Sequence, residues 1–190
     1  MNPSRFAYQL NLLALLGITL ILAVAFAEQF YFGELPCPLC LLQRVGLMTA
    51  GLGFMLNLRF GLHPMHYGVT LIAALVGMAT SGRQVLLHII PDGMGYGKVF
   101  FGLHLYTWSF VSFVCILLGV GVLLMISGSA SAADRKMSRW VTLVVWTFCI
   151  VVLANLVSTL LECGFSECPS DPTRYLGLDV IRSWISGGKP

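Results

Sequence analysis

Two cysteines separated by two residues, in Leu35-Pro36-Cys37-Pro38-Leu39-Cys40, can close a small disulfide ring that a thiolate can open again. A long apolar run follows directly, so a helix starting there sets unpaired N–H groups and the positive end of its dipole beside Cys40. Cys40 is therefore expected to be the easier thiolate. Pro36 and Pro38 lack amide donors and stiffen the approach, which is expected to present the pair at the helix entrance without absorbing it into the helix. A static structural disulfide and a zinc site are the competing readings of this spacing.

Arg44 follows Cys40 by four residues and so shares its helix face, about a turn deeper. It can snorkel to the outer surface, or it can hold a quinone carbonyl, favour the negative charge formed on reduction and stabilise the Cys40 thiolate. Gln43 is expected to face elsewhere and is assigned no role. Cys163 and Cys168, in Glu162-Cys163-Gly164-Phe165-Ser166-Glu167-Cys168-Pro169, can close a second loop. That loop is either a structural clip or a second redox pair relaying electrons from a soluble partner to Cys37 and Cys40. A relay requires the two pairs to meet, because thiol exchange proceeds by direct attack of sulfur on sulfur. Cys115 and Cys149 complete the six cysteines; lying deep in apolar runs, they read as packing residues.

These residues are positioned by a chain that takes the bilayer as its solvent. Of 190 residues, 57% are hydrophobic and only 10% charged, far more apolar than a soluble domain. Apolar runs cover 6–27, 41–60, 67–90, 100–126 and 140–161, each long enough to cross about 30 Å of hydrocarbon as a helix. The expected fold is an all-α integral membrane protein: one transmembrane domain over 1–190, a four-helix-bundle core, a fifth spanning helix and an outer tail over 162–190. Ala25-Phe26-Ala27 resembles a signal-peptidase site, but the apolar stretch before it is too long for a signal peptide and further spans follow. A net charge of +3, scattered along the chain, forms no nucleic-acid footprint.

Arg5, Arg59, Arg135, Lys136 and Arg139 fall on one side of the five spans, which places the N-terminus inside and the four clustered cysteines outside. Glu28, Glu34, Asp92, Glu162, Glu167, Asp171 and Asp179 then lie outside, together with Lys98, Arg174, Arg182 and Lys189, which oppose the rule. The Ser- and Ala-rich stretch from Ser127 to Ser138 reads as a flexible inner connection. Leu178, Ile181, Trp184 and Ile185 recur at helical spacing between Gly177 and Gly187, as in a short helix on the membrane surface that anchors the tail or holds the nearby cysteines at membrane height.

Arg83, Gln84 and His88 end the third span, and His104 and Tyr106 open the fourth. They can border one pocket with the outer cysteines. Each histidine is either an interfacial residue bonded to backbone or water, or a donor of hydrogen bonds and protons to a quinone. Tyr96, Tyr106, Trp108 and, on the inner side, Trp140 fit the aromatic belt. His63 and His66 form a weak metal pair, and no metal site is assigned.

At these residues the chain resembles the disulfide bond formation protein B family of membrane thiol:quinone oxidoreductases. The resemblance rests on the outer Cys-x-x-Cys, an arginine four residues later, and Arg83-Gln84 followed by Pro91, over the first three or four spans. It implies a four-helix bundle in which Cys40 contacts the quinone, Arg44 binds it and Cys37 exchanges with a second cysteine pair. In that family the second pair lies between the third and fourth spans, whereas His88 to Phe100 here holds no cysteine, so Cys163 and Cys168 receive the role by location.

The expected function is oxidation of a soluble, thioredoxin-like dithiol oxidase of the bacterial periplasm, with electrons passing to ubiquinone or menaquinone of the inner-membrane pool. Alternatives are electron flow outward to keep a partner reduced, a binding or assembly subunit with purely structural disulfides, and a metal-handling membrane protein. Absence of Cys-x-x-Cys-His argues against covalent haem.

Overall fold

The computed structural model describes residues 3–33, 35–89, 99–127, 137–164, 168 and 175–185. Expectations attached to Glu34, Pro91, Asp92, Tyr96, Lys98, Arg135, Lys136, Glu167, Asp171, Arg174 and Lys189, and to 128–136, lie outside the described residues. The elements in order are α1 (Pro3–Phe32), α2 (Pro38–Phe60), α3 (Pro64–Leu87), β1 (Val99–Phe100), β2 (Leu103–His104), α4 (Leu105–Ser127), α5 (Arg139–Cys163) and α6 (Leu176–Ile185). Five of these helices, α1 to α5, are long and apolar enough to cross a membrane. The protein is an all-α, multi-pass membrane protein.

Burial is inverted relative to a soluble protein. Leu20, Ile72, Leu118, Ile150 and other large apolar side chains cover the outside, while Asn11, Asn57, Thr70, Gln84 and Asn155 are buried. Lipid tails are as apolar as leucine, so packing and hydrogen bonds, not burial of oil from water, hold such helices together. The helices α1 to α4 close into a ring, with α1 touching both α2 and α4 and α3 touching both α2 and α4. The fifth helix docks on α1 and touches α2. Small residues allow the approach: a side chain at Gly77 of α3 would overlap the ring of Phe113 from α4, and one at Gly51 of α2 would overlap Phe148 from α5.

Where a fourth helix starting at Phe100 was expected, residues 99–104 form a two-stranded hairpin, Val99 opposite His104 and Phe100 opposite Leu103. Phe101 and Gly102 turn the chain with positive φ (48° and 80°), and Trp108 donates its indole N–H to the Phe100 carbonyl at 2.9 Å. Two consecutive left-handed residues stop a helix from forming there. At the C-terminal end, α6 rests on α5 through Gly177, which meets the Leu160 carbonyl and the Leu161 backbone, and exposes Leu178, Ile181 and Trp184.

At the bundle end holding His63 and His66, one neutral network ties α1, α2 and α3. Asn11 donates to the Tyr67 hydroxyl at 2.7 Å and Asn57 donates to Asn11 at 3.0 Å. The Asn57 oxygen meets the His63 N–H and the His66 ring nitrogen, each at 3.0 Å. The His63 ring accepts from the Met65 N–H at 3.2 Å and caps α3. Both histidines therefore have structural partners, and among the described residues no group of three His, Cys, Asp or Glu could hold a metal.

Candidate redox site

Cys37 is the N-cap of α2: its backbone is extended (φ −66°, ψ 159°), and its sulfur accepts the Cys40 N–H at 3.2 Å. Pro38 occupies the first helical turn, where a missing N–H costs nothing and a fixed φ favours the helix. Cys40 consequently lies inside the first turn. This corrects the expectation that the prolines keep the pair out of the helix: Pro38 starts it. Cys37 and Cys40 are joined in a disulfide with their Cα atoms 5.0 Å apart; Cys37 is buried and Cys40 half-buried.

The side chain that meets both sulfurs is Gln84 of α3, only 1% exposed. Its Nε2 lies 3.4 Å from the Cys37 sulfur and 3.6 Å from the Cys40 sulfur, and its Oε1 accepts from Gln43 Nε2 at 2.6 Å. With its oxygen held by Gln43, the Gln84 amide presents its donors to the sulfurs, an arrangement that favours a thiolate over a thiol. Gln43 thus belongs to the site, contrary to the expectation that it faces elsewhere. Its spacing of three from Cys40 puts both on one side of the helix, and a buried amide in an apolar span was the signal to read.

Beyond Gln84 lies an aromatic stack. The His88 ring Nδ1 is 2.8 Å from the Gln84 carbonyl. Only an N–H can donate there, which leaves Nε2 as the acceptor of a neutral ring. Tyr106 stands between the two histidines, with ring centroids 5.2 Å from His88 and 5.1 Å from His104. His104 Nδ1 is buried without a hydrogen-bond partner among the described residues. Arg83 is exposed and makes no hydrogen bond or ion pair among the described residues, so the structure does not bring it into this cluster.

Arg44 turns inward, toward α1 and α5. Its Nη1 donates to Gln29 Oε1 at 2.9 Å and Asn155 Oδ1 at 3.3 Å, and its Nη2 to the Ala25 carbonyl at 2.8 Å. Gln29 passes the network on, donating to the Ser158 hydroxyl at 2.9 Å and the Tyr175 hydroxyl at 3.3 Å. Asn155, Ser158 and Glu162 lie at i, i+3 and i+7, so all three occupy one stripe of α5 facing this cluster. Glu162 is 1% exposed and interacts electrostatically with Arg44, yet neither carboxylate oxygen has a hydrogen-bond partner among the described residues. Gln29 and Glu162 lie just beyond the apolar runs 6–27 and 140–161, and Asn155 is a single amide within the latter, so no sequence pattern links them to Arg44. Gln29, Ser158 and Tyr175 also line a groove of about 690 Å³ whose other walls include Phe26, Phe30 and Leu153.

Cys163 is the last residue of α5 and is buried; its disulfide partner Cys168 is half-buried, with Cα atoms 4.8 Å apart. Gly164 (φ 63°) ends the helix and returns its N–H to the Leu160 carbonyl at 2.9 Å. The first pair therefore sits at the amide end of a helix and the second at a carbonyl end. Cys115 and Cys149 are free; Cys149 contacts Met55, and Cys115 is on the outer surface of α4.

Residues 7–95 match the family model of disulfide bond formation protein DsbB. The chain is 42% identical over 94 residues to disulfide bond formation protein B of Marinobacter nauticus, covering 46% of this chain and 53% of that protein. It is 38% identical over 100 residues to the protein of that name from Xanthomonas campestris pv. campestris, covering 50% and 58%. The chain thus spans about half the length of the curated relatives it matches. No solved structure matches it. The segment that carries Cys37, Cys40, Gln43, Arg44 and Gln84 is the segment that matches the disulfide bond formation protein DsbB family.

Proposed function

We propose that this chain is a membrane thiol:quinone oxidoreductase that supports disulfide bond formation. The observation that carries the reading is a disulfide at the N-terminus of a membrane-spanning helix, with the Gln84 amide donating to its sulfurs and Arg44 one turn deeper. Helix amides, the Gln84 amide and the guanidinium all favour negative charge, so the reduced pair is poised as a nucleophile.

A quinone supplies a lipid-soluble acceptor of two electrons and two protons. The residues present fit it. A carbonyl oxygen needs a donor, and Arg44 uses three of its five N–H groups on Gln29, Asn155 and Ala25. A ring needs apolar walls and access from lipid, and Leu42 and Val45 beside Cys40 are exposed on the outside of α2. Cys40 is the sulfur that gives electrons to it, and Cys37 the sulfur that exchanges with the incoming pair. His88 and His104, each stacked on Tyr106, would border the quinone and be positioned to conduct protons, while Arg83, exposed at the end of α3, is assigned no contact with it.

In this reading Cys163 and Cys168 accept electrons from a soluble thioredoxin-like dithiol oxidase of the periplasm. Cys168, the more exposed sulfur, faces that partner. The chain sits in the bacterial inner membrane with its N-terminus cytoplasmic. Anaerobic reduction of ubiquinone or menaquinone analogues by the prereduced protein tests the proposal. Wild type is expected to reduce quinone and Cys40→Ser to lose the reaction; a wild type inert toward both quinones overturns the enzyme reading in favour of a subunit with structural disulfides.

A further inference from the structure

Glu162, the penultimate residue of α5, is a buried carboxylate that the thiol chemistry above does not use. It is 1% exposed, both oxygens lack hydrogen-bond partners among the described residues, and the positive charge acting on it is that of Arg44. Buried polar atoms are almost always paired, and ionisable residues inside spans mark proton or substrate paths far more often than they serve packing. Its stripe mates on α5 are both committed: Asn155 accepts from Arg44 and Ser158 accepts from Gln29. Of these three, Glu162 alone is left without a hydrogen bond among the described residues.

We propose that Glu162 exchanges a proton with the redox site, acting as the alternate counter-charge of Arg44; this rests on the thiol:quinone reading. A low-dielectric interior holding one guanidinium tolerates one negative partner at a time. While Cys37 and Cys40 form a disulfide, that partner is the Glu162 carboxylate. When the pair is reduced and Cys40 ionises, the thiolate takes over the charge and Glu162 takes the proton: Cys40–SH plus Glu162–COO⁻ becomes Cys40–S⁻ plus Glu162–COOH. As Cys37 closes the disulfide on Cys40 and two electrons pass to the quinone, the Glu162 proton goes to one quinol oxygen and the Cys37 thiol proton to the other, and the Glu162 carboxylate is restored. Atoms and charge balance at each stage. The other charged or titratable groups acting on this site are Glu28 of α1 and Tyr175 ahead of α6, both through Arg44.

Redox-difference infrared spectroscopy of the full chain in vesicles tests this directly. Reduction of the disulfide is expected to raise a carboxylic-acid C=O band that shifts with [13C]glutamate labelling, disappears in Glu162→Gln and persists in Glu28→Gln. In Glu162→Asp the band should remain but become insensitive to the glutamate label. Repeating the measurement with Cys163→Ser and Cys168→Ser confines the redox change to Cys37 and Cys40. Quinone reduction by Glu162→Gln should fall roughly 100-fold and lose one limb of its pH profile. A labelled wild type with no glutamate-sensitive band on reduction overturns the inference, even if quinone is reduced normally. A wild type that shows the band but reduces no quinone overturns the reading it rests on.

Discussion

The two ends of the bundle are both built from buried polar side chains, yet they differ in one respect that separates scaffold from chemistry. At the Asn57 end, Asn11, Asn57, Tyr67 and His66 bond to one another and to backbone, and none of their buried side-chain atoms is left without a partner among the described residues. At the Cys37 end, a guanidinium, a carboxylate, two histidines and a disulfide lie together, and His104 and Glu162 keep atoms without a hydrogen-bond partner among the described residues. A complete neutral network rigidifies helices and has nothing left to offer a substrate. An incomplete charged one costs stability and is retained where it performs work.

That contrast can be broken at its strongest point first. Arg44→Ala should lower quinone reduction about 100-fold or more, the loss expected when one preorganised donor to developing charge is removed, measured in the anaerobic assay. A variant retaining wild-type rates would reduce the Arg44 network to scaffolding. Gln84→Leu removes the amide at the sulfurs while keeping the bulk, and should slow alkylation of the reduced Cys40 at neutral pH by roughly tenfold, about the effect of one lost hydrogen bond to a charged group. Unchanged alkylation kinetics would show that the helix terminus alone sets the reactivity. Asn57→Ala, at the other end, should cost about 1–3 kcal/mol of stability by stranding its partners. Its rate per folded molecule should match wild type, and a large loss there would erase the distinction between the ends.

The two disulfides sharpen the same lesson. Cys37 and Cys40 were legible because Cys-x-x-Cys before an apolar run implies a helix N-terminus, and the structure shows Cys37 as its cap. Arg44 was legible by its spacing of four, but not the acceptors it reaches, since Ala25, Gln29 and Asn155 come from helices far away in sequence. Gln43 is less legible: adjacency to Arg44 points it elsewhere, and only its spacing of three from Cys40 ties it to the sulfurs. The hairpin overlaps the start of the apolar run 100–126 and is hidden in the sequence because its residues are as apolar as the span that follows.

Composition and periodicity alone determined that this chain is a set of membrane-spanning helices with a Cys-x-x-Cys pair at the start of one of them, because hydrocarbon thickness sets the length of every span and local spacing sets the helix end. Only the tertiary structure decided which polar residues meet. It closed α1 to α4 into a ring, docked α5 on α1, and so brought Asn155 to Arg44 and Gln84 to the sulfurs. Pairings between helices depend on which faces pack, and an apolar span presents polar residues to every candidate neighbour alike until packing chooses one.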